Sequence, residues 1–382
     1  MIYIESSEAG RESGRRAPPL VIEERYREKP TRRLASRRSR MRRIPVKKVA
    51  AVAISLTVVL LLVGSISSGI NLPIPPSLQR VSRAVFLFLL GAREVDLGNL
   101  SYIRESIYGS TPPSSVQEAV LKLWDWSSRN FRHVDELDPF SIEYMMYRSL
   151  DVDPLGISSV KLCDGSICYK SIPPGELLSA KVGRCIDHAV FAAATLLSVN
   201  ISPTYVILVN EVKHAVAGFI AGGILYIVEQ RIPPIEYADY VEYVLGFQPK
   251  NLTVFELWVE DGRILYRKAG LPRVAYEGYT DDGAPPAIAH DVASKINARL
   301  RVAVSPYAKY VKRECIGIAL HASSFSDPQA RTPITRFYTP LFHEIWVEHL
   351  ARVVSSALAE LKSSYSYLWV EMDRDALEVC LA

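Results

Sequence analysis

Three residues of the 382-residue chain have the types and spacing for nucleophilic chemistry: Cys185, His214 and Glu229. Cys185 lies in "KVGRCIDHAVFAAATLL", where Ile186, Ala189, Val190, Ala193, Leu196 and Leu197 recur at helical spacing. The turn-rich "PPGELLSAKVGR" before it puts Cys185 in the first turn of that helix. Unpaired N–H groups and the positive dipole end stabilise a thiolate there and lower the thiol pKa. Gly183 would let the backbone turn sharply and leave room for a substrate carbonyl. From this segment alone, a small buried core cysteine accounts for the residue equally well.

A thiolate needs a base, and the base needs an orienter. Three strand-like runs follow the helix: "TYVILVN", "KHAVAGFI" and "GILYIVEQ". The last two join at Ala221-Gly222, or through a four-residue loop centred on that pair. Either loop pairs positions whose numbers total 443 and sets His214 opposite Glu229. Their Cβ atoms would be roughly 5 Å apart on one face. The carboxylate could then hold the imidazole tautomer and stabilise the imidazolium. The competing reading is an exposed cross-strand ion pair.

The pattern Gly183-x-Cys185-x-Asp187-x-Ala189, then His214-Ala215, then an acid after an apolar strand, resembles the transglutaminase-like fold. That papain-like group includes transglutaminases and many microbial cysteine peptidases. The upstream "SSVQEAVLKLWDWSSRNFRHVDE", with Val116, Val120, Leu123 and Phe131 on one face, is similar to the family's leading helix. The resemblance covers roughly residues 110–232. It implies an α+β core in which a helix bearing Cys packs on an antiparallel sheet bearing His and the acid. It further implies Cys185 as nucleophile, His214 as base and then acid, Glu229 in place of the usual Asp, and Asp187 as a structural residue bonding nearby backbone. The aromatic that often follows His-Ala is Val216 here, which tilts the reading from transamidation toward hydrolysis. The Cys185 N–H is the expected oxyanion donor, and its partner cannot be read from the sequence.

The other four cysteines read as two pairs. "VKLCDGSICYK" is a hairpin centred on Gly165-Ser166, which places Cys163 opposite Cys168 in a non-hydrogen-bonded pair suited to a disulfide. Cys315 and Cys380 lie in strand-like C-terminal segments and could pair with each other. Cys-x4-Cys is a poor zinc spacing with no second ligand pair, so no metal and no cofactor are expected.

Residues 1–48 carry 15 Lys/Arg against 6 Glu, so the rest of the chain is net acidic although the total is +4. After this arm, "VAAVAISLTVVLLLVGSISSGI" is long enough to cross a bilayer. The one-sided basic flank predicts a cytoplasmic N-terminus and an extracytoplasmic remainder. Nucleic acid is the alternative partner of such an arm; without an aromatic platform and with a span adjacent, lipid is the expected one. Sequons at Asn99, Asn200 and Asn251 agree weakly with an outside location. A total of 7 Asn and 5 Gln is a composition associated with hot environments. The run 84–92, "AVFLFLLGA", reads as a buried or interfacial helix.

"HEIWVEH" does not make a metalloprotease site, because its two His are six residues apart and point to different helix faces. It reads as a solvated amphipathic helix. His188 reads as a partly buried helix residue rather than a cleft residue, and Trp124 and Trp126 as packing. His133, His290 and His321 have no partner identifiable in the sequence. The expected organisation is a basic disordered cytoplasmic arm (1–48), a transmembrane helix (49–72), a juxtamembrane segment (73–109) and a catalytic domain (110–268). A linker (269–285) and a small C-terminal α/β or α+β domain (286–382) complete it. The expected activity is a membrane-anchored, outward-facing thiol enzyme hydrolysing peptide or isopeptide amides through a thioester. A transamidating acyltransferase and a catalytically silent surface module are the alternatives.

Overall fold

The N-terminal "IYIESS" forms β1 (Ile2–Ser7), and the chain is next described as a strand at β2 (Ala92–Glu94). The computed structural model describes residues 2–7, 87, 90–137, 141, 159–165, 167–230, 232–273, 284–305, 308, 314–322, 332–333, 338–359, 366–373 and 376–382. Two capped helices follow, α1 (Leu100–Tyr108) and α2 (Val116–Asn130). Asn99 accepts from the Tyr102 N–H and Ser115 from the Glu118 N–H, each satisfying a donor that the first helical turn leaves unpaired. Then come β3 (Arg132–His133), the hairpin β4 (Val160–Cys163) and β5 (Cys168–Ser171), helix α3 (Pro174–Ala180) and β6 (Val182–Gly183). Strands β3 and β6 pair in parallel, His133 beside Gly183. Cys163 stands opposite Cys168, and the two are joined in a disulfide.

Helix α4 (Cys185–Leu197) is buried on every side from Asp187 to Leu197. An all-round apolar helix has to be enclosed. Strands β7 (Thr204–Val209) and β8 (His214–Ala221) lie against it, with α1, α2 and α3 around it. Its buried Phe191, Leu196 and Leu197 each contribute about 1.5–3 kcal/mol of apolar burial. The sheet continues with β9 (Ile224–Val228), β10 (Ile235–Glu236), β11 (Leu252–Glu260) and β12 (Arg263–Ala269). Its order is β10-β9-β8-β7-β11-β12-β2, antiparallel at each pairing.

The β8–β9 turn corrects the expected register. Ala221 pairs with Ile224, so the two turn residues are Gly222 and Gly223, both at positive φ, rather than Ala221 and Gly222. Two consecutive left-handed residues suit the right-handed twist of a tight hairpin, and glycine adopts them without steric cost. The pairing therefore slips by two positions. Because side chains alternate with period two, the slip leaves His214 and Glu229 on the same face.

The stretch read as juxtamembrane contributes to this fold. Strand β2 is the edge strand beside β12, and α1 packs on α4, so a boundary at residue 110 cuts off one strand of the sheet and one of the helices around α4.

The C-terminal region comprises α5 (Ala284–Leu300), β13 (Ala303–Val304), β14 (Glu314–Ala322), β15 (Thr332–Pro333), α6 (His343–Ala359), β16 (Tyr367–Asp373) and β17 (Ala376–Leu381). Its sheet runs β1-β14-β17-β16-β13, with β15 also on β14. Cys315 lies opposite Cys380, and Cys380 is disulfide-bonded. Helix α6 is amphipathic but not a solvated helix: Trp346, Val347, Leu350, Ala351 and Val354 are buried, and it packs on α5 and α2.

Strand β1 pairs antiparallel with β14, so the first residues of the arm expected to be disordered are ordered. A chain crossing a bilayer once between 49 and 72 would hold β1 and β14 on opposite sides. An anchored form of the chain would therefore have to part β1 from β14. Residues 49–72 lie outside the described residues, as does most of 84–92; among the described residues no helix is long and apolar enough to cross a membrane.

Candidate active site

Cys185 opens α4 with Arg184 at the N-cap. Asp187, fully buried at the third helical position, fixes this start. One of its oxygens accepts from the Arg184 N–H at 2.8 Å and the other from the Ile172 N–H at 3.0 Å. Asp187 thus ties the helix to the chain leaving β5, and satisfies two backbone donors that burial would otherwise orphan. Gly183 has a different reason from the one its sequence context suggests. It is buried, and a Cβ there would lie 3.0 Å from Leu177 Cδ1 and Asp187 Cβ and 3.2 Å from Phe131 Cε2. Its missing side chain makes room for the protein's own core and not for a substrate carbonyl.

His214 is the first residue of β8, and Glu229 follows the last residue of β9. His214 Nε2 and Glu229 Oε1 are 2.6 Å apart, with side chains only 12% and 15% exposed. The second Glu229 oxygen accepts from the Gln230 N–H at 3.1 Å. With Nε2 committed to the carboxylate, Nδ1 is the nitrogen left for the sulfur, to which His214 is also hydrogen-bonded.

Cys185 is the free cysteine among the described residues. Burial pushes its thiol up, but hydrogen bonds from His133 and His214, the His214 charge and the Ala215 N–H outweigh this and bring it down to about 6. Burial likewise opposes a charged His214, yet the sulfur and the Glu229 carboxylate raise it to about 10. Burial disfavours ionised Glu229, and the His214 bond overrides it, holding the carboxyl at about 2. All three shifts run in the direction of a thiolate–imidazolium pair with an ionised carboxylate behind it. Sγ also lies 3.8 Å from the Lys213 carbonyl, the acceptor open to it when protonated.

His133 is the residue the sequence did not offer. It is brought to the sulfur through β3 and its pairing beside Gly183. The bond to Cys185 raises its pKa, and the Asp135 charge adds to this. Asp135 Oδ2 is 3.3 Å from Nδ1. Two imidazoles, each backed by a carboxylate, thus flank the thiolate. A weak signal was available: His133-x-Asp135 directly follows the leading helix, but nothing in it specifies a parallel pairing 50 residues downstream.

The remaining candidates sit elsewhere. His188 is buried, with Nε2 3.1 Å from Ser127 Oγ and its ring against Phe131, and burial lowers its pKa to about 4. His343 contacts Asp291 at 2.8 Å and Tyr338 at 2.9 Å, while His349 is buried against Trp124 and Trp346. Trp124 is fully buried, and Trp126 packs on Phe191. Among the described residues no cluster could hold a metal ion.

Residues 103–258 match a family model described as a transglutaminase-like domain. The chain is 29% identical over 197 residues to UPF0252 protein PH0672 of Pyrococcus horikoshii, covering 49% of this chain and 61% of the relative. It is 34% identical over 76 residues to UPF0252 protein PH1321 of the same organism, covering 19% of this chain and 23% of that relative. The chain therefore spans less than two thirds of the curated relatives it matches. No solved structure matches it. The family match supports the transglutaminase-like superfamily, and the mixed helix and sheet architecture with its large antiparallel sheet fits such a core.

Proposed function

We propose that this protein is a membrane-anchored, outward-facing thiol hydrolase that cleaves peptide or isopeptide amides through a thioester on Cys185. The observation that carries the reading is the Cys185–His214–Glu229 chain, with its 2.6 Å imidazole–carboxylate bond and a thiol lowered to about 6. In acylation Sγ forms a bond to the carbonyl carbon, and the C–N bond breaks as His214 gives its proton to the leaving amine. In deacylation His214 takes a proton from water, which attacks the thioester carbonyl. The acid leaves and the thiolate returns. Glu229 stays ionised and holds the imidazole in the orientation both steps need. The Cys185 backbone N–H, at the start of α4, is positioned to donate to the developing oxyanion.

Anchoring rests on the apolar run that follows the basic arm, and orientation on that arm being one-sided. The test uses the full chain in detergent with a mixed peptide substrate pool. Mass spectrometry should find an acyl adduct on Cys185, and turnover should vanish in Cys185→Ala. A Cys185 thiol that titrates near the ordinary 8.5, with no adduct, would sink the enzyme reading and favour a silent surface module.

A further inference from the structure

We propose that the cleft over Cys185 selects acidic peptide segments, reading a substrate carboxylate with Lys170 and Lys213. The proposal rests on the amide-hydrolase reading of the same site and adds its substrate class. The cleft has a volume of about 410 Å³. Its cations come from three different elements: Lys170 from β5, Arg184 from the cap of α4, and Lys213 from the β7–β8 turn. Among the described residues no Asp or Glu lines it.

Among the described residues, the carboxylates closest in sequence to these cations or to the catalytic residues are engaged elsewhere. Asp187 is buried and bound to two backbone N–H groups, and Glu229 is bound to His214. Glu211, two residues before Lys213, accepts from the Lys250 and Asn251 N–H groups at 2.6 Å each, facing the start of β11. Asp164, at the tip of the β4–β5 hairpin, pairs with Lys268 at 2.9 Å. Arg184 is partly neutralised by Asp187, at 3.4 Å. Lys170 and Lys213 are exposed and take part in no ion pair among the described residues.

Lys213 carries a second indication. Its φ is +52, a left-handed conformation that glycine or asparagine would adopt at lower cost. A lysine there places an ammonium group one residue before the catalytic histidine, on a turn whose carbonyl faces the sulfur. An unusual backbone conformation beside reacting atoms is a pointer to function. Tyr169, Ile186, Leu208 and Val209 supply apolar wall between the cations. The surface therefore suits a peptide with carboxylate side chains at the ends of an apolar stretch.

The test is substrate protection of Cys185 in the full chain, which needs binding but not turnover. Cys185 is alkylated with iodoacetamide in the presence of matched peptides that differ only in Glu, Gln or Lys at two positions, and labelling is read by mass spectrometry. The Glu peptide should protect at concentrations at least tenfold below the Gln peptide, and the Lys peptide should protect least. Lys170→Gln and Lys213→Gln should each weaken Glu-peptide protection about fivefold. The double charge reversal Lys170→Glu/Lys213→Glu should make the Lys peptide the better protector, and 0.5 M salt, roughly, should flatten all differences. Equal protection by Glu and Gln peptides, or protection unchanged in both single variants, overturns the proposal. Because Lys170 lies on an exposed strand position, its variant keeps the test decisive if the Lys213 turn does not tolerate change. Charge-selective protection with no cleavage of any peptide would sink the hydrolase reading while leaving acidic selection standing. Cleavage without charge preference would do the reverse.

Discussion

Replacing Glu229 by Gln keeps the shape of the side chain and removes the charge behind His214. His214 stands at about 10 instead of 6.5, which corresponds to roughly 5 kcal/mol in favour of the imidazolium. The sulfur and the Glu229 carboxylate produce that surplus after offsetting burial, so the carboxylate's part is at least on the order of 2–3 kcal/mol. A Coulomb check agrees: unit charges about 4 Å apart at an effective dielectric near 20 interact by ~4 kcal/mol, a ceiling for one partner. The loss amounts to about a hundredfold in the thiolate–imidazolium population, within a range of ~10 to ~10³. Sequestering the thiolate is the imidazolium's task, so weakening the cation raises the thiol pKa. The assay is the second-order rate of iodoacetamide alkylation at Cys185 from about pH 4 to 10, with the disulfides left oxidised. Wild type should inflect near 6. The variant should inflect one to two pH units higher, with its circular dichroism unchanged. An identical profile in the variant would show that the 2.6 Å contact does not govern the charge on His214, and would refute the electrostatic role given to Glu229.

Three further outcomes follow from the same geometry. His133→Ala removes one of two imidazole donors to the sulfur, so alkylation near pH 6 should fall about tenfold, with partial rescue by His133→Gln; an unchanged rate would remove His133 from the site. Gly183→Ala forces a methyl group against Leu177, Phe131 and the tethered Asp187, and should lower unfolding free energy by about 1–3 kcal/mol in chemical denaturation, whereas an unaltered midpoint would mean the neighbours can retreat. Protease added to intact cells should digest the chain after Pro73 and spare an epitope within residues 1–48. Finding both on the same side would deny a single crossing and agree with the β1–β14 pairing instead.

The sequence by itself determined the chemistry that lies in local pattern. Helical spacing after a turn identified the α4 start and so the environment of Cys185. Period-two alternation put His214 and Glu229 on one face, and that conclusion survived a register displaced by two residues because face depends only on parity. The Cys163–Cys168 pairing was legible for the same reason, since one hairpin contains both residues and its turn. Contacts distant in sequence were decided only by tertiary structure. His133 reaches the sulfur through a two-residue parallel pairing, and parallel neighbours have no turn between them that could encode their register. The role of Gly183 depends on Leu177 and Phe131 converging on its Cα, a property of packing that no pattern around the glycine records. Helix α1 joined the core because α4, buried from Asp187 to Leu197, needs cover on every side, and which segments supply that cover is settled by topology rather than by their own composition.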